Sequence, residues 1–225
     1  MKKIILSVLS LLIIFTAFSA SSVTPSGNLI KNGHISVDLF NPSPAIRMGL
    51  FGFLETGVSV QEDGAYIKIG FNDIQNIPVY FNAGYSNAFG SSGNFFTTVG
   101  YTGNLFEIGG GVGLKQYERA FYSEEDKDYY YGFLKTRVIF RSDEILSNSI
   151  SFESKINFDT EITKPINYLF TVYGIQTFKK GILFLNNVDV YGGLIFNSTT
   201  IELSQINIIK DINIILGITT EFTLF

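Results

Sequence analysis

From residue 33 onward, apolar side chains recur at every second position rather than at every third or fourth. In DINIILGITTEFTLF, Ile212, Ile214, Leu216, Ile218, Phe222 and Leu224 alternate mostly with asparagine, glycine, threonine and glutamate, broken by Thr220. A period of two places that set on one face of an extended strand. The same pattern predicts strands over about 33–40, 45–60, 64–72, 77–87, 93–102, 105–116, 128–141, 147–159, 166–178, 182–196, 199–209 and 212–224, twelve in all, with ten as the alternative. No long stretch beyond residue 22 has helical spacing.

Several strands are clean enough to assign faces. In LFEIGGGVGLK, Phe106, Ile108, Val112 and Leu114 oppose Glu107, three glycines and Lys115; in SISFESKINF, Ile150, Phe152, Ile156 and Phe158 oppose Ser151, Glu153, Lys155 and Asn157. Short turn signals (NPSP, QEDG, SSG, TGN, KKG and KD) separate the strands, which therefore pair as antiparallel hairpins. The exception is the acidic, aromatic loop QYERAFYSEEDKD at 116–128. With both termini in the periplasm it follows the sixth strand and is periplasmic, although long loops are usually external; one miscounted strand reverses its side.

One apolar face suits a soluble sandwich as well as a membrane barrel, so the polar face decides. Soluble sheets load that face with Lys, Glu, Arg and Asp. Here it carries mainly Gly, Ser, Thr and Asn, as a barrel lumen does. Charged residues are only 16% of the chain, against aromatics at 15%, nearly all Phe and Tyr. Phe95-Phe96 with Tyr101, and Tyr129-Tyr130-Tyr131, are expected near strand ends as interfacial girdles.

The opening MKKIILSVLSLLIIFTAFSASS sets Lys2 and Lys3 before an apolar core and small residues, the layout of a secretory signal peptide. Residues 1–21 are thus expected to be removed, leaving 22–225 as one barrel domain. Losing both lysines makes a formal charge of −4 two units more negative, which disfavours nucleic acid as a partner. With no Cys, disulfides, thiolate metal sites and a lipid anchor are excluded.

Signal peptide, alternating strands and the terminal Phe225 together resemble a bacterial outer-membrane β-barrel. The resemblance implies a closed antiparallel transmembrane barrel, outer-membrane lipid and the barrel-assembly machinery as partners, and no cofactor. Phe225 departs from that pattern: it is in phase with Thr223, Glu221 and Thr219, so Leu224 and Phe222 are the alternative carriers of the assembly signal. A second similarity, to outer-membrane barrels associated with exopolysaccharide export, lies in TPSGNLIKNGHISVDL, GLFGFLETGVSV and IPVYFNAGYSN.

Candidate chemistry is sparse. His34, the only histidine, shares a strand face with Ser36 and Asp38, but parallel side chains on one strand do not converge as a triad requires. Gly109, Gly110, Gly111 and Gly113 lack the Lys-Ser/Thr ending of a phosphate loop and are expected to give curvature or room for a bulky neighbour. The better candidates are charges on the polar faces: Glu55, Lys68, Glu107, Lys115, Lys135, Arg137, Glu153, Lys155, Glu202 and Glu221. A symmetric turn at 142–146 sets Lys135 opposite Glu153 and Arg137 opposite Ser151. These charges either pair across a narrow lumen and hold it closed, or line a small pore. The sequence thus points to a non-enzymatic channel or a structural or export-associated membrane protein. A secreted barrel binding an apolar ligand and a membrane hydrolase using His34 stand as alternatives.

Overall fold

The computed structural model describes residues 27–39, 44–59, 64–74, 77–87, 92–117, 128–162, 165–179, 186–198 and 212–223. They form twelve strands: β1 His34–Leu39, β2 Ala45–Leu50, β3 Leu54–Ser59, β4 Gly64–Ile74, β5 Ile77–Asn87, β6 Ser92–Thr102, β7 Phe106–Tyr117, β8 Tyr129–Ser142, β9 Leu146–Phe158, β10 Pro165–Phe178, β11 Asn187–Ser198 and β12 Ile212–Thr223. Each strand pairs antiparallel with its neighbours in sequence, and β1 closes the barrel against β12 from His34↔Thr223 to Leu39↔Ile218. Closure leaves no strand at the edge of an open sheet.

The count of twelve matches expectation, but the strands are not all the expected ones. Residues 45–60 are two strands, because the chain reverses at 51–53 with Phe51 and Gly52 at φ of 57° and 76°. Left-handed backbone of this kind makes a tight hairpin, and among apolar neighbours only Gly52 signals it. The strand expected at 199–209 lies outside the described residues, and β11 pairs directly with β12.

The extra strand also changes the parity of the strands before 118–128: β7, which precedes it, ends at the barrel end opposite the start of β1. β1, β3, β5, β9 and β11 also end at that far end, whereas β2, β4, β6, β8 and β10 end at the near end, where the described connections 51–53, 103–105 and 143–145 are short.

The faces are inverted relative to a soluble protein. Outward positions are exposed and apolar, among them Ile46, Ile69, Phe81, Val99, Leu134 and Ile214, around the whole circumference. Inward positions are buried and polar, among them Asn82, Asn94, Thr98, Ser149, Ser151 and Thr171. Expected girdle aromatics divide between the faces. Phe95 and Tyr130 are exposed, whereas Phe96 and Tyr131 are buried inside the barrel, because adjacent strand residues point oppositely.

Inward aromatics rest on inward glycines of neighbouring strands. A Cβ at Gly84 would meet the Phe96 ring, at Gly113 the Tyr131 ring and at Gly109 the Tyr80 hydroxyl. The glycine run of β7 therefore makes room for bulky neighbours, one of its two expected roles.

Candidate functional site

The lumen is the candidate site, and one half of it is filled by the chain's own N-terminal segment. Residues 27–33 run along the inner wall past β6, β5, β4, β3 and β2 before entering β1. Side chains from successive strands hold the segment's backbone. Asn82 donates to the Gly27 carbonyl, and Asn72 both accepts from the Leu29 amide (3.2 Å) and donates to the Leu29 carbonyl (3.0 Å). The Glu55 carboxylate accepts from the Ile30 amide at 2.8 Å, and Asn28 bonds Thr102 at 2.9 Å. Gly33, at a φ of 73°, donates to the Gly49 carbonyl as the chain turns into β1. We refer to this segment as the strap.

Beneath the strap sits the most buried charge pair. Glu55 and Lys68 are direct cross-strand partners, 3.0 Å apart, with both side chains 0% exposed. Glu55 also accepts from the Tyr66 hydroxyl at 2.6 Å, and Lys68 donates to the Asn28 carbonyl at 3.4 Å. Buried charges persist only when paired and fully hydrogen-bonded, and this pair meets that condition.

The other half of the lumen is a chamber. A cavity of about 260 Å3 runs between β8 and the β11–β12–β1 wall, lined by Asp38, Lys135, Glu153, Tyr173, Asp189 and Tyr191 among others. A second, of about 360 Å3, shares Glu107, Arg137, Asp189 and Thr219 with it and reaches the near-end residues Gly103, Asn104 and Lys179. The chamber thus extends to the near end of the barrel.

Its charges pair across strands. Lys135 lies opposite Glu153 and bridges it at 2.7 Å, and Arg137 lies opposite Ser151, as expected. Arg137 donates to Ser149 at 2.7 Å and to Thr177 at 3.4 Å, and stands 3.7 Å from Glu107. Tyr173 donates to Glu153. On the opposite wall Arg47 bridges Asp38 at 2.7 Å. Asp38 and Asp189 both sit opposite Thr219, one on each side of it.

The remaining expected residues are spread along the wall. Lys115 and Lys155 lie over the Tyr117 and Tyr131 rings, at 5.1 and 4.2 Å. Glu202 lies outside the described residues. Glu221 pairs with His34. His34, Ser36 and Asp38 do share a face, but their partners differ: His34 holds Glu221, Ser36 accepts from Arg47 at 3.4 Å and Asp38 holds Arg47.

Two features escaped the sequence reading. The strap has no periodicity of its own, and its partners come from five other strands. An apolar cluster of Leu169, Ile195 and Ile215, packed with Tyr173 and Tyr191, sits on the otherwise polar inner face. Ile215 was visible as an apolar residue out of phase in DINIILGITTEFTLF.

No protein-family model matches the chain, and no curated protein matches it significantly.

Proposed function

We propose that the barrel spans a bacterial outer membrane, reached after export behind a cleaved signal peptide, and forms a narrow, non-enzymatic channel for small polar solutes. The observation that carries this reading is the inversion of the two faces. Contiguous apolar patches beyond a few hundred Å2 are rare on soluble monomers, whereas here the apolar face is the whole outer wall. In hydrocarbon all backbone polar groups must be met internally, and barrel closure is the strand-based way to do so. A secreted barrel holding an apolar ligand needs an apolar interior, which is the opposite arrangement.

The loops support an orientation. Membrane barrels have short periplasmic turns and longer external loops, so the near end faces the periplasm and 118–128 the exterior. The chamber then opens toward the periplasm. Its acids and bases are mixed, favouring small neutral or zwitterionic solutes over either ion sign. The strap favours a second reading, a structural or export-associated barrel, because it occupies half the lumen.

The test runs the mature protein, folded in detergent, on a denaturing gel with and without boiling, beside membrane fractions. A shift on boiling and an outer-membrane location are expected; solubility without detergent and no shift would sink the membrane reading. Planar-bilayer recording then separates the two roles. Small discrete steps indicate a channel, and a silent membrane a structural barrel.

A further inference from the structure

The charges that line the chamber do not balance one another bond for bond. Lys135 bridges Glu153 and Arg47 bridges Asp38, but Asp189 makes no ion pair among the described residues. Its carboxylate accepts from the Thr177 hydroxyl and leaves Oδ1 without a hydrogen bond. Asp38 engages Arg47 through Oδ2, at 2.7 Å, and its Oδ1 is likewise unbonded although the residue is only 9% exposed. A third group, the Thr171 hydroxyl, has no partner in a residue that is 0% exposed. All three residues line the cavity of about 260 Å3. Buried polar atoms without partners are costly, and beside a cavity they mark a place that a ligand's own polar groups complete.

The opposite charge is close by and also incomplete. Arg137 donates through Nε to Ser149 and through Nη2 to Thr177. Its Nη1 makes no hydrogen bond among the described residues and stands 3.7 Å from Glu107, beyond hydrogen-bonding range. Thr177 links the two charges, because it accepts from Arg137 and donates to Asp189, its cross-strand partner. One hydroxyl thus separates a guanidinium with N–H groups to give from a carboxylate with an oxygen to receive. Arg137, Asp189 and Thr219 line both cavities, so this couple stands at their junction. Asp38 lies across Thr219 from Asp189. Neighbouring strands are ~4.8 Å apart, so the two acids start about 10 Å apart at Cα and converge inside the barrel.

Farther from the near end the lining turns apolar. Tyr191 is the next inward residue after Asp189 on β11, and Ile215 lies two inward positions before Thr219 on β12. Both pack with Tyr173, whose ring is 6.1 Å from that of Tyr191, around Leu169 and Ile195. The cavity therefore offers acceptors, a donor and an apolar wall to one small occupant. At about 260 Å3 it falls just below the range of drug-sized pockets, ~300–1,000 Å3.

We propose that the chamber binds a small α-amino acid with an apolar side chain. The ligand's ammonium donates to Asp189 and Asp38, its carboxylate accepts from Nη1 of Arg137, and its side chain lies against Tyr191 and Ile215. The inference rests on the reading of the chamber as a path for small solutes and names the class of solute. An amine or an acid lacking the other charged end leaves the guanidinium or the carboxylates unmet, which is how a site with buried polar groups discriminates.

Isothermal titration calorimetry on the mature protein folded in detergent, with the gel shift on boiling as the folding check, compares probes that share one carbon skeleton. These are L-leucine, isoamylamine, which lacks the carboxylate, and isocaproate, which lacks the ammonium. Leucine is expected to bind at a single site per chain, and each truncated probe at least about tenfold more weakly, as loss of a charge-assisted hydrogen bond requires. Asp189→Asn and Arg137→Gln are expected to weaken leucine by a similar factor. The probes on the wild-type chain decide the matter where either variant loses the gel shift. No heat from leucine at millimolar concentration would overturn the inference, while the channel reading stands or falls separately on conductance. Isoamylamine binding as tightly as leucine would overturn it in favour of a simple cation site. Leucine binding together with a silent planar bilayer would uphold the site and remove the channel.

Discussion

The two halves of the lumen use one strand pattern for different ends. Along β3–β6 the inward positions carry Glu55, Lys68, Asn82 and Thr98, buried beneath or beside the strap. Along β7–β12 they carry Glu107, Lys135, Arg137, Asp189 and Thr219, around a chamber. Polar alternation alone does not distinguish these regions. What differs is the occupant: backbone of residues 27–33 in one half, and open space in the other. A filled half holds its charges dry, so their pairing is structural, whereas the open half keeps its charges where a solute meets them.

Removing one charge from each half tests this difference most severely. Lys68→Met strands Glu55 in a fully buried site and is expected to cost about 3–5 kcal/mol, the usual penalty for breaking a buried pair. Lys135→Met leaves Glu153 beside the chamber with Tyr173 still donating to it, so a loss of about 1–2 kcal/mol is expected, between buried and surface pairs. Urea unfolding in lipid vesicles measures both, and equal losses would erase the distinction between the halves.

Glycines sharpen the comparison between inner and outer faces. Gly84→Val drives a side chain into the Phe96 ring inside the barrel and is expected to cost about 1–3 kcal/mol by overpacking. Gly132→Ala meets open space and is expected to change stability by less than about 0.5 kcal/mol. Urea midpoints of the two variants should separate accordingly.

The smallest effect belongs to the near-end turn at 143–145. Asp143 accepts from the amides of Ile145 and Leu146, at 2.9 and 2.7 Å, and these bonds hold its carboxyl below the usual aspartate range. A lowered carboxyl favours the fold above the unfolded pKa, and that contribution is lost as pH falls through the folded value. Asp143→Ala should therefore lower the urea midpoint slightly at neutral pH and leave it unchanged in strong acid, where the wild-type carboxyl is protonated as well.

Much of the barrel was legible because a period of two is a strong signal when repeated around a closed wall. The Lys135–Glu153 and Arg137–Ser151 registers followed from one short turn, and the closed antiparallel barrel was what the resemblance to outer-membrane barrels implied. The hairpin at 51–53 was hidden because Phe51 takes a left-handed conformation that its residue type does not advertise. The strap was hidden because it forms no ladder along its length. Its bonds run to single side chains on separate strands, a relation that exists only after the barrel has closed.

The inversion of faces is tested most directly by two single cysteines in vesicle-reconstituted protein, treated with a membrane-impermeant maleimide. Val99→Cys lies on the outer wall, and Thr219→Cys lines the chamber that reaches the near end. A membrane barrel requires Val99→Cys to be protected until detergent or urea is added and Thr219→Cys to react in the intact vesicle. Rapid labelling of Val99→Cys in intact vesicles, with Thr219→Cys protected, would place the apolar wall in water and contradict the account.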